Sequence, residues 1–210
     1  MGEFFGSACL TATVVGSGIM GDQLSGGNDA LALLANSIAT GLMLYVLISL
    51  LGPISGAHFN PFVSLYFGMQ GAFPKKLVLP YSLVQVLGSV CGVWVTHIMF
   101  GQEIIQLSSK VRFGPNLWVS ETIATIGLLM TISLALKNAP NQIATLVGSY
   151  ICAAYWFTSS TSFANPMMSI ARSLTNSFAG IQAQDAPPFI AAQFLGVAIT
   201  LVGAKLMVKN

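Results

Sequence analysis

The sequence predicts an all-α membrane protein with six transmembrane helices and two re-entrant half-helices, arranged as an inverted repeat. Three observations predict it. Charge is scarce: 8 Lys and Arg and 6 Asp and Glu stand among 210 residues, 54% are hydrophobic, and mean hydropathy is +0.77, far from the balance of a water-soluble domain. Apolar windows near the roughly 20 residues needed to cross a bilayer recur six times. An Asn-Pro pair interrupts the apolar pattern once in each half.

The windows are Glu3–Met20, Ala30–Leu51, Leu77–Phe100, Leu117–Leu136, Ile143–Thr161 and Phe189–Val208. The first lacks a basic flank, carries Glu3 at its start and is rich in glycine, so it reads as a span and not as a cleaved signal. Cys9, Cys91 and Cys152 lie inside apolar windows without paired spacing. They read as core residues, and neither a disulfide framework nor a metal site is indicated. No basic cluster with interleaved aromatics points to nucleic acid. No nucleophile–base pair or glycine-rich phosphate loop points to catalysis or a cofactor, so the chain reads as a non-enzyme.

The two halves echo each other. Asn60-Pro61 in "HFNPF" answers Asn165-Pro166 in "SFANPM"; Gln85 and Gly88 answer Gln193 and Gly196; Glu3 and Glu121 each have a hydroxyl four residues on. Residues 1–100 form the first unit with a half-helix at 60–69, 101–116 connect, and 117–210 form the second with a half-helix at 165–176. Three spans per unit is an odd number, so the second unit enters from the opposite face. Ten helical residues reach about 15 Å against a hydrocarbon core of roughly 30 Å. Asn is a preferred N-cap and Pro is favoured at the first helical position, so each pair starts a helix near the midplane. The N–H groups left open there must be buried in protein or face a wet cavity.

"SGAHFNP" followed by the second Asn-Pro resembles the major intrinsic proteins, the aquaporins and glycerol channels, over essentially the whole chain. The resemblance implies a pore in each subunit of a homotetramer, lined by Asn60 and Asn165, each capping its own half-helix and offering N–H to a passing oxygen. It implies small neutral solutes as partners, a lipid bilayer around the protein, and a loop-bracing role for Glu3 and Glu121. As ionisable groups within spans, these two are also proton-relay candidates. His58 would line the cytoplasmic mouth or brace its loop. His97 reads as structural.

The sequence departs from the family pattern. Phe62 and Met167 replace the alanine of each Asn-Pro-Ala box, implying altered packing beneath the asparagines. Met168 stands where the family carries its filter arginine. The other filter positions fall at Thr40, Ala153 and Ser162, with Tyr155 or Trp156 as alternatives, and imply a wide constriction. Arg172 lies four residues after Met168, about 6 Å further along a helix; it would either guard the outer vestibule or tie down loop carbonyls. "NPMMSIARSLTNSFAGI" also resembles bacterial members associated with arsenic resistance, which implies undissociated arsenite or methylated arsenicals as solutes, with the soft Met168 thioether contributing. The alternative is a secondary transporter working by alternating access, since inverted repeats with broken helices serve that purpose too.

With six alternating spans, Lys75, Lys76, Lys137, Lys205 and Lys209 fall on one side and Lys110 and Arg112 on the other. By the positive-inside rule, both termini are cytoplasmic; the resemblance to bacterial members implies a bacterial inner membrane. A reporter fused after Asn210 that is active only in the cytoplasm is the expected outcome; activity only outside the membrane is incompatible with six spans.

Overall fold

The structure is a computed structural model that describes residues 1–207, all helical apart from connecting loops. Lys209 and the last residues of the second unit lie outside the described residues. Eight helices follow in order: α1 (Gly2–Leu24), α2 (Asp29–Ser55), α3 (Pro61–Gln70), α4 (Lys75–Met99), α5 (Pro115–Asn138), α6 (Ile143–Phe157), α7 (Pro166–Ala171) and α8 (Ala186–Met207).

Among the described residues, five helices are long and apolar enough to cross a membrane. The sixth crossing departs from expectation: α6 has 15 residues, about 22 Å by the helical rise. A 3-10 turn at Pro140–Gln142 precedes it, and extended backbone at Thr158 ends it. Its crossing is completed by that turn and by the non-helical segment leading to Asn165.

The packing repeats between the halves. α1 packs on α2 and α4, as α5 packs on α6 and α8; the halves meet where α2 lies on α6. The half-helices cross over, with α3 touching α8 and α7 touching α4. Gly88 and Gly196 explain two of these close approaches. A Cβ at Gly88 would overlap the Phe4 carbonyl of α1, and one at Gly196 would press on the Thr122 carbonyl of α5. Small residues let membrane helices approach backbone to backbone, and here they bring Gln85 and Gln193 within reach of the two buried carboxylates.

The second half-helix is shorter than the 165–176 that the sequence suggests. α7 stops at Ala171 and a 3-10 turn covers Arg172–Leu174. The reason is competition for carbonyls. Arg172 O accepts from Ile181 N at 3.2 Å, and Ser173 O from Ser108 N at 3.0 Å. Those carbonyls are then taken by loops and serve no further helical turn. His97, at the end of α4, pins the same region, with Nδ1 2.8 Å from Ile104 O and Nε2 2.9 Å from Thr175 Oγ1.

Candidate pore

Each half-helix begins at an asparagine in extended conformation followed by proline. Asn60 Oδ1 accepts from Phe62 N at 2.9 Å, and Asn165 Oδ1 accepts from Met167 N at 3.1 Å. These are N-caps, each worth about 1 kcal/mol. The amide nitrogens cross over: Asn60 Nδ2 donates to Ala164 O and Asn165 Nδ2 to Phe59 O, both at 2.8 Å. A primary amide carries two N–H donors, so one on each remains beyond the bond to the opposite loop.

The segments before the asparagines are strained. Ala57, Phe59, Thr161, Ser162 and Ala164 all have positive φ, which costs a non-glycine residue roughly 1–2 kcal/mol. The carboxylates hold them. Glu3 Oε1 accepts from His58 N at 3.0 Å and Ser55 Oγ at 2.8 Å, while Oε2 accepts from Phe59 N and Gln85 Nε2, both at 2.8 Å. Glu121 repeats the pattern, accepting from Phe163 N and Ala164 N at 2.8 Å and from Gln193 Nε2 at 2.6 Å. Each glutamine also donates to a hydroxyl on its half-helix, Gln85 to Ser64 at 3.1 Å and Gln193 to Ser169 at 3.0 Å.

A cavity of about 330 Å³ passes both asparagines. At one end it is lined by His58, Phe67, Leu136 and Ile143, and at the other by Thr40, Tyr155, Ser162, Phe163, Met168 and Arg172. Between them the wall is largely aliphatic, with Val14, Leu44, Val63, Leu128 and Val147. His58 combines two positions: its ring faces the cavity with Nδ1 3.0 Å from Ser64 Oγ, packed near Phe67, Phe73 and Tyr81, and its backbone N–H is held by Glu3.

Three of the four residues assigned from sequence to the filter line this cavity. Thr40 Oγ1 is 3.3 Å from the Tyr155 hydroxyl, the Ser162 hydroxyl is buried without a partner, and Met168 Sδ accepts from Thr11 Oγ1 at 3.7 Å. Ala153 is a correction. It is exposed and lines a groove on the outer surface between α2 and α6 with Trp156. Tyr155, two residues on, is the α6 side chain that reaches the cavity, because two residues turn a helix by about 200°. Trp156 points away and donates from Nε1 to Ser37 Oγ at 3.0 Å.

The two box substitutions both lie outside the cavity wall. Phe62 packs toward α8, its ring 5.9 Å from that of Phe194, and Met167 is wholly buried in the core; neither lines the cavity. Phe163, which sequence reasoning passed over, lines it, and Phe189 steadies its ring edge-on at 5.1 Å. Arg172 both ties a loop carbonyl and lines the cavity. It is 2% exposed, donates from Nε to Ala179 O, and sets its guanidinium 3.4 Å from the Phe163 ring centroid.

Arg112 and Lys110 lie nearby in the loop joining α4 to α5. Arg112 Nε donates to Gly180 O at 2.8 Å and Nη1 to Ser160 O at 3.3 Å, with its guanidinium 5.2 Å from the Phe163 ring. Burial pulls its pKa down to about 10 despite the carboxylate of Glu121. Lys110 Nζ donates to Phe178 O at 2.8 Å. Burial first, and then the charges of Arg112 and Arg172, bring its pKa down to about 8.

Two opposed half-helices that exchange amide bonds at the centre of a helical bundle, beside a cavity that passes both caps, define a membrane channel protein. The sequence pattern of the family described as Major intrinsic protein matches residues 1–178. Aquaglyceroporin AqpS of Rhizobium meliloti (strain 1021) is 49% identical over 199 residues, covering 95% of this chain and 85% of that protein. Nodulin-26 of Glycine max is 38% identical over 98 residues, covering 46% of this chain and 36% of that protein. The X-ray structure of the aquaglyceroporin from Plasmodium falciparum superposes with a TM-score of 0.75 at 18% identity, covering 95% of this chain and 91% of that one. The chain belongs to the major intrinsic protein family, whose members are channels and not enzymes.

Removing Glu121 leaves three buried donors without an acceptor, each costing about 1–3 kcal/mol. Glu121→Ala and Glu3→Ala are therefore expected to lower the melting temperature in detergent markedly. Cys91→Ala, which breaks no hydrogen bond, is the comparison; equal melting of all three would show that the carboxylates do not hold the loops.

Proposed function

We propose that the protein is a passive channel for small neutral solutes, water and glycerol-like polyols, extending to undissociated arsenite or methylated arsenicals. The observation that carries this reading is a cavity shared by Asn60, Asn165, Thr40, Tyr155, Ser162 and Met168. Its wall is aliphatic with a few polar groups, suited to a column of small hydroxylated molecules. The name of the Rhizobium meliloti relative supports glycerol-sized solutes. Met168, standing where the family pattern has arginine, supports a filter wider than a water-selective one. Four copies assemble in a bacterial inner membrane with both termini cytoplasmic, a reading supported by the family pattern and the lysine distribution.

Alternating access finds less support. A coupled transporter needs ligands for its driving ion near the midplane, and Glu3 and Glu121 are already engaged by N–H and O–H donors.

Stopped-flow measurements on proteoliposomes test this reading. Glycerol and arsenite fluxes are expected to rise linearly with gradient and to ignore collapse of proton or sodium gradients; saturation together with gradient dependence would mark a transporter. Asn165→Leu removes a cap and the bond to Phe59 O together, and flux is expected to fall about tenfold or more.

Met168→Arg is expected to reduce glycerol and arsenite flux far more than water flux. A guanidinium there narrows the path and repels a cation at 4 Å by about 4 kcal/mol at an effective dielectric near 20. An unchanged solute-to-water ratio would place residue 168 outside the constriction.

A further inference from the structure

Arg172 is the only side chain among Lys, Arg, Asp and Glu in the described lining of the cavity. Its place in the chain is not that of the family's filter arginine, where Met168 stands. The turn that ends α7 nevertheless puts Met168 and Arg172 on the same cavity wall.

Three features separate Arg172 from a simple loop tie. Only its Nε is spent on the loop, donating to Ala179 O. Its guanidinium stacks against the Phe163 ring at 3.4 Å, which fixes the plane of the group. Among the described residues neither Nη has a protein acceptor, and neither is sealed from accessible space. Ser162, the residue before Phe163, also lines the cavity, but its hydroxyl is sealed from accessible space. The carboxylates on this side are already in use, Glu121 by two loop N–H groups and Gln193, and Asp185 by Arg112 N.

We propose that Arg172 is the charge-selecting residue of the conduction path, and that its free Nη groups form a binding site for one oxygen-bearing neutral solute. This rests on the channel reading above. A guanidinium stays protonated at any physiological pH and presents its donors in a fixed planar fork. It therefore offers hydrogen bonds to a hydroxyl or oxyacid oxygen while repelling cations. The Phe163 ring and the Met168 thioether supply an apolar surface for the carbon side of such a solute. Anchoring through Nε and selection through Nη use different atoms of one side chain, so a single residue serves both.

The experiment measures water, glycerol and potassium fluxes in proteoliposomes for the parent, Arg172→Met, Arg172→Lys and the double variant Met168→Arg with Arg172→Met. The parent is expected to conduct glycerol and exclude potassium. Arg172→Met is expected to raise the potassium-to-glycerol flux ratio about tenfold or more. The double variant returns a guanidinium to the same wall and is expected to bring that ratio back to within about threefold of the parent. Arg172→Lys keeps the charge without the fork, so it is expected to retain potassium exclusion while changing the glycerol-to-water ratio.

A folded Arg172→Met protein with the parent's ratio overturns the proposal. Should Arg172→Met fail to fold, the double variant decides. A folded double variant that excludes potassium supports the proposal, and a folded one that leaks potassium overturns it; should neither variant fold, Arg172→Lys decides, and a Lys variant with the parent's glycerol-to-water ratio overturns the proposal. A parent that conducts neither water nor glycerol overturns the channel reading itself, and this inference with it.

Discussion

A chain that leaves helical geometry in the middle of a bilayer must find a partner for every N–H and C=O it exposes, because the hydrocarbon supplies none. Two buried carboxylates meet this constraint here. Glu3 takes the N–H groups of His58 and Phe59, and Glu121 those of Phe163 and Ala164. Left-handed backbone at Ala57, Phe59, Ser162 and Ala164 persists because those bonds hold it. The positions of the half-helices, the asparagine caps and the cavity all follow from loops fixed in this way. The glutamines and the close helix contacts at Gly88 and Gly196 serve the carboxylates in turn.

The scaffold is nearly symmetric, but the two ends of the cavity differ chemically. Tyr81 donates its hydroxyl to Ser55 O in the first unit; at the matching carbonyl of the second, Ser160 O, the donor is the Arg112 guanidinium. A neutral group braces one mouth and a cation braces the other. With Lys110 on the Phe178 carbonyl and Arg172 on that of Ala179, three positive charges gather at the second end. The first end holds His58 within a ring of aromatic side chains.

Much of the fold was legible because the chain states it twice. One Asn-Pro pair reads as an ordinary loop cap; two at matching positions imply two helix starts, and α3 and α7 begin there. Glu3 and Glu121, paired with Gln85 and Gln193, were visible through the same repetition. Ala153 was misplaced because helical phase amplifies a small alignment error: a shift of two residues turns an inward position outward, and Tyr155 holds the inward one. The end of α7 was illegible for a different reason. Nothing local to residues 172–176 stops a helix; the carbonyls of Arg172 and Ser173 are claimed by Ile181 and Ser108, distant in sequence. The burial of Arg172 and the lining role of Phe163 depend on that tertiary competition, which local pattern does not record.

The crossed amide bonds at the centre bear on how the protein is made. Asn60 donates to Ala164 O, and Asn165 to Phe59 O. The first loop therefore waits for a partner 104 residues further along the chain, which a ribosome adding about 5–20 residues per second delivers only after several seconds. Until then the Asn60 amide and the Phe59 carbonyl lack the partners they have in the complete fold. Closure of the centre therefore requires both halves and comes late in biosynthesis.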